Sequence, residues 1–96
     1  MDRNELAKTK RDVEKLFEST LKFKSQYSNQ TKEYIYVGEY GLALDDIAEV
    51  YLKNNEMMPP DLFQIFKHLA TIMELEKDEE YQGAIKLLAR AQQERP

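Results

Sequence analysis

No cysteine occurs in the 96 residues, which excludes a disulfide framework and a thiolate metal site. The one histidine, His68, has no second imidazole or thiol with which to share a transition metal, and beside Lys67 it reads as a surface residue. Glycine is scarce, with three in the chain. Gly38 and Gly41 are followed by Leu42-Ala43-Leu44 rather than by a lysine and a hydroxyl residue, so no phosphate-cradling loop and no nucleotide site is expected. Ser19, Ser25 and Ser28 lack a glycine-rich nucleophile turn, which removes the usual setting of a Ser-His-Asp triad. No stretch reaches the about 18 uninterrupted apolar residues of a membrane helix. The opening Met1-Asp2-Arg3-Asn4-Glu5 is charged where a secretory signal is apolar, so a reducing cytosol is the compartment this reading favours. The expectation is a chain without catalysis, cofactor or metal.

With few helix breakers and with Leu, Ala, Glu, Lys, Gln and Met dominant, helices should fill most of the length, and β-alternation is nowhere sustained. One core is the limit at 96 residues, so residues 1–96 read as a single domain. The spacing of Leu6, Val13, Leu16, Phe17, Thr20 and Leu21 predicts a first helix from an Asn4 cap to about Gln26, followed by a polar loop over Ser25 to Gln30. A short second helix should begin near Thr31, its hydroxyl capping the next amides, and stop at Gly38. A third should run from Tyr40 to Asn54, with Ala43, Leu44, Ile47, Val50 and Tyr51 inward and Asp45, Asp46, Glu49 and Lys53 in water. Pro59-Pro60 suits the first turn of a fourth helix reaching about Glu74, buried through Leu62, Ile65, Phe66, Leu69, Ile72 and Met73. The acidic run Glu74 to Glu80 then precedes a last helix with Tyr81, Ala84, Ile85, Leu88 and Ala91 inward, Gln92 to Pro96 fraying at its end. The fold expected is all-α, a compact antiparallel bundle of five helices, the second short.

Charge is distributed unevenly. Residues 1–32 carry eight bases and five acids, residues 33–80 twelve acids and three bases, and the last sixteen residues are weakly basic. An acidic middle repels polyphosphates and attracts basic partners. The basic first helix is interrupted by Asp12, Glu14 and Glu18, and with a pI near 5.0 direct nucleic-acid binding is disfavoured. Asp45, Asp46 and Glu49 resemble half of a calcium or magnesium site in composition but lack the loop and glycine of an EF-hand, so they read as a solvated face or a partner contact. Tyr34, Tyr36, Tyr40 and Tyr51 cluster in the same acidic third. Tyrosine suits interfaces because its ring buries area while its hydroxyl keeps a hydrogen bond. Tyr40 and Tyr51 read as core edges, whereas Tyr34 and Tyr36 cannot both face inward on a short helix.

The stretch Tyr34-Ile-Tyr-Val-Gly-Glu-Tyr-Gly-Leu-Ala-Leu-Asp-Asp-Ile-Ala-Glu-Val-Tyr-Leu52, with Leu62 to Phe66 and Leu69 to Met73, resembles the small helical immunity proteins of bacterial polymorphic-toxin and contact-dependent inhibition systems. The likeness covers about residues 31–75 and centres on Gly38-Glu39-Tyr40-Gly41-Leu42-Ala43-Leu44, which in that family joins two helices. A partial echo of the tetratricopeptide helix-turn-helix is present too, but no 34-residue period recurs. The resemblance implies a cytoplasmic, monomeric protein that binds a cognate toxin domain, often a nuclease, in a one-to-one complex and keeps it inactive. Nuclease toxins hold phosphates in basic clefts, so the candidate contact residues are Tyr36, Glu39, Asp45, Asp46 and Glu49, with Glu76, Asp78, Glu79 and Glu80. The competing reading is a helical adaptor that binds a peptide or self-associates through an apolar groove, such as one lined by Met57, Met58, Phe63 and Tyr36.

Overall fold

The computed structural model describes residues 2–93, with side chains as far as Ala91. It is an all-α bundle of five α-helices: α1 (Arg3–Glu18), α2 (Ser28–Tyr36), α3 (Tyr40–Lys53), α4 (Pro60–Ile72) and α5 (Gln82–Gln93). Three single 3-10 turns, Leu21–Phe23, Leu75–Lys77 and Glu79–Tyr81, complete it, and no strand occurs among the described residues. None of these helices is long and apolar enough to cross a membrane.

The hydroxyls decide where α1 stops. Ser19 Oγ and Thr20 Oγ1 each donate to a carbonyl three residues back, Leu16 and Phe17, both at 2.6 Å. These bonds compete with the helical ladder, and the chain tightens into a 3-10 turn that closes on Lys24 in the left-handed region. The helix predicted to reach Gln26 therefore ends at Glu18. Its start is also earlier than the Asn4 cap expected, because Asp2 Oδ1 accepts the Glu5 amide at 2.8 Å. Leu6, expected inward, lies beyond the last buried turn and is exposed.

The predicted loop over Ser25 to Gln30 is half helix, since α2 starts at Ser28, and Thr31 is a buried interior residue rather than a cap. The end of α2 follows the sequence closely. Gly38 takes φ 81°, Glu39 N donates to Tyr34 O at 2.8 Å and Gly38 N to Ile35 O at 3.2 Å. That pair of bonds is a Schellman stop, which needs a residue without Cβ strain at its left-handed position. At the other end of α3 the same motif is closed by Asn55. Pro60 opens α4 as the Pro59-Pro60 pair predicts.

Helix α3 is the centre of the bundle, packed on α1, α2, α4 and most extensively on α5. Its Ala43, Leu44, Ile47, Ala48 and Tyr51 join Val13, Leu16, Phe66, Leu69 and Leu87 in one buried cluster. Leu75 closes one end of that cluster from inside the acidic run, where no core residue was expected. Of the predicted α4 face, Phe66 and Leu69 are buried while Ile72 is exposed, and Ala70, which was not expected there, is buried with them. The Tyr51 ring is fully buried, edge-on to Phe23 at 5.5 Å, and its hydroxyl lies 2.7 Å from Ser19 Oγ.

Candidate functional site

The three neighbouring carboxylates of α3 part company. Asp46 was expected in water, but it is only 7% exposed. Its carboxylate accepts from Gln30 Nε2 at 3.2 and 2.9 Å and lies 3.1 Å from Thr31 Oγ1, both on α2. Burial pushes the Asp46 carboxyl above the usual aspartate range and the charge of Asp45 pushes the same way, while the bonds from Gln30 and Thr31 oppose them. Position 46 falls three residues after Ala43 and four before Val50, so helical geometry places it on the inward stripe whatever its charge. The expectation of a wet Asp46 is corrected on that ground.

Asp45 and Glu49 turn instead toward α5. Asp45 Oδ1 accepts the Ala84 amide at 3.0 Å, satisfying a first-turn donor of α5 and placing negative charge at its N-terminal dipole. Glu49 lies half-buried over Gly83, where a Cβ would come within 2.8 Å of Glu49 Cγ and of the Asp45 carbonyl. The side chains of Asp45 and Asp46 thus serve different helix pairs, and among the described residues no group of three His, Asp or Glu side chains is placed to hold a metal ion.

A second group of carboxylates converges from three segments. Glu39 comes from the turn before α3, Asp45 from α3, and Asp78 and Glu80 from the acidic run. All four act on the Tyr81 hydroxyl, whose pKa is raised first by burial and then by Glu80, Asp78, Glu39 and Asp45. The ring of Tyr81 reaches this position because Gly41 leaves room for it: a Cβ there would stand 3.0 Å from the Tyr81 oxygen. Asp78 Oδ1 accepts the Glu80 amide at 3.0 Å, which fixes the turn carrying Glu79 and Glu80. Among the described residues the one ion pair within 4.0 Å joins Lys77 to Glu74, so the four carboxylates about Tyr81 are not neutralised by lysine or arginine. Glu76 and Glu79 are exposed on the same run.

Tyr81 was expected in the core stripe of the last helix; it does pack half-buried against the core, but from the turn that precedes α5 and among these carboxylates. The signals for it were Gly41 beside Tyr40 and an aromatic directly after an acidic run. Tyr36 is 83% exposed, as one of the Tyr34 and Tyr36 pair had to be, and Val37 beside it is exposed too. Tyr36 also lines a groove of about 410 Å³ between α1 and α2, floored by Phe17, Leu21 and Ile35 and flanked by charges of both signs. The groove envisaged from Met57, Met58, Phe63 and Tyr36 is a different one: Met58 is buried in the core and the Phe63 ring stacks on Phe66 at 6.4 Å. Comparison with protein-family models, with characterised proteins and with solved structures finds no match for this chain.

Proposed function

We propose that the chain is an immunity protein, a cytoplasmic monomer that binds a cognate toxin domain one-to-one and neutralises it, the toxin being a nuclease with a basic substrate cleft. The observation that carries this reading is the set of carboxylates, Glu39, Asp45, Asp78 and Glu80, whose charges act on Tyr81 while none of them forms an ion pair with a lysine or arginine among the described residues. Unneutralised carboxylates on a rigid frame attract a basic surface from a distance and raise its capture rate. The same charges that draw in a phosphate-binding cleft exclude the nucleic acid that would compete for it. Tyr36 and Val37, exposed at the turn that leads into Glu39, supply apolar area beside the charged rim. Asp46 is withdrawn from the contact set because it is buried against α2, and Asp45 and Glu49 contribute field more than direct contact.

A second reading, a helical adaptor, is favoured by one observation, the apolar α1–α2 groove. Growth rescue separates the two. The toxin region encoded beside this chain is expressed with it in a sensitive cell, using Glu39→Lys/Asp78→Lys/Glu80→Lys for the rim and Leu21→Ala/Tyr36→Ala for the groove. Rescue lost with the rim variant and kept with the groove variant supports an acidic immunity face. The reverse pattern, or no toxin beside the chain, moves the assignment to the adaptor.

A further inference from the structure

Lys10, Glu14 and Glu18 follow one another at four-residue steps, so they form one line along α1, and Lys32 of α2 borders the same α1–α2 groove. All four are exposed, and none takes part in an ion pair among the described residues. Between them lies the apolar floor of Phe17, Leu21 and Ile35, with Leu21 46% exposed. Tyr36, the most exposed of the large apolar side chains, stands at the edge of that floor, and Val37 beside it is 55% exposed.

This face differs from the acidic rim in its balance of charge. Two lysines and two glutamates give no net pull on a nucleic acid, or on a strongly basic or acidic protein. They suit a partner that presents the same pattern reversed. Lys10 and Glu18 stand about two helical turns apart, roughly 12 Å along the axis. Laid antiparallel across a two-fold axis near Glu14, two α1 helices bring each Lys10 to the other's Glu18, so both pairs form at once. Lys32 supplies a cation for the two glutamates that meet at the axis. The face also carries both halves of an apolar contact. Its hollow of about 410 Å³ falls within the about 300–1,000 Å³ that takes a drug-sized molecule, and an exposed tyrosine is there to fill it.

We propose that the α1–α2 face is the contact through which two copies of this chain pair about a two-fold axis, Tyr36 of each seated in the other's groove and Lys10 of each on the other's Glu18. The patch is smaller than the about 20–30 residues a side of a standard interface, so the pair is weak and dissociates on dilution. Tyr36 belongs as well to the contact surface of the proposed function, which makes the separated monomer the form that meets a toxin. That consequence rests on the proposed function; the pairing does not.

Sedimentation equilibrium of the purified intact chain, from about 1 µM to about 1 mM, tests the pairing. The average mass is expected to rise from one chain toward two. Lys10→Glu and Glu18→Lys each turn two attractions into two repulsions, and each should raise the dissociation constant at least about tenfold, as should Tyr36→Ala. Mixed in equal amounts, the two charge variants should pair with each other about as well as the wild type pairs with itself, because each contact between positions 10 and 18 again joins opposite charges. Circular dichroism checks that all forms fold alike. A wild-type mass of one chain across the whole range overturns the proposal. So does a dimer that both reversals leave intact, or a mixture that pairs no better than its components.

Discussion

Replacing Gly83 by alanine sets two physical effects against each other at one atom. Gly83 lies in the first turn of α5, where alanine gains at most about 1 kcal/mol of helix propensity over glycine. Against this, the new Cβ would stand 2.8 Å from the Asp45 carbonyl, 2.8 Å from Glu49 Cγ and 2.9 Å from Glu49 Oε1. Glu49 can swing away, but the Asp45 carbonyl belongs to the backbone of α3 and can move only if the helices separate. Separation strains the Asp45 bond to the Ala84 amide as well. Overpacking costs about 1–3 kcal/mol, and a clash with backbone belongs at the upper end, so the net loss is about 2 kcal/mol after the propensity gain. For a domain of this length each kcal/mol lowers Tm by roughly 4–8 °C. Urea unfolding and calorimetry of Gly83→Ala, alone and with Glu49→Ala, measure it. The second substitution should recover only part of the loss. A Gly83→Ala variant as stable as the wild type would refute the close α3–α5 approach on which the placement of Asp45 depends.

The Tyr51 hydroxyl donates to Ser19 Oγ, since the Ser19 hydrogen is already engaged by the Leu16 carbonyl at 2.6 Å. Tyr51→Phe should cost about 1 kcal/mol in urea unfolding, and Ser19→Ala should cost little more in that background, a non-additivity that a double-mutant cycle detects. Glu74 holds φ 55° with its side chain largely in solvent, and its exposed pair with Lys77 contributes little. Glu74→Gly should therefore raise stability, by about 1 kcal/mol, with a matching rise in urea midpoint. Tyr81 should ionise at higher pH than an ordinary tyrosine, seen as the phenolate absorbance step that Tyr81→Phe removes; Glu39→Lys/Glu80→Lys should move that step to lower pH by taking away two of its causes. The sign follows from linkage: the raised folded value adds stability below the ordinary tyrosine pKa of 10.0, and that stability is lost as pH rises through the folded value.

The regular helices were legible because their signals are local. Pro59-Pro60 marks the start of α4, Gly38 the end of α2, and the three-and-four spacing of Ala43, Leu44, Ile47, Val50 and Tyr51 the buried side of α3. What escaped depends on contacts between segments. Asp46 sits on that same stripe by spacing, but its charge suggested water, and only the arrival of Gln30 and Thr31 from α2 makes its burial tolerable. Gly83 carries no turn and no positive φ; its reason is the passage of α3, whose contacting residues Asp45 and Glu49 lie 38 and 34 residues away in sequence and form a face rather than a motif. Leu75 was hidden by the acids around it, yet a single apolar residue in a charged run is enough to plug a core. For the site, Glu39, Asp78 and Glu80 were legible as acidic and exposed, whereas their convergence on Tyr81 depends on how Gly41 admits the ring.

Association kinetics put the acidic rim to the most direct trial. The purified chain and the toxin domain encoded beside it are mixed at low and high salt, as wild type and as Glu39→Lys/Asp78→Lys/Glu80→Lys, with circular dichroism confirming that both forms fold alike. At low salt the variant should associate more slowly by about tenfold or more, and the gap should narrow as salt screens the rim. Equal association rates at low salt, with the same salt slope for both forms, would contradict the account.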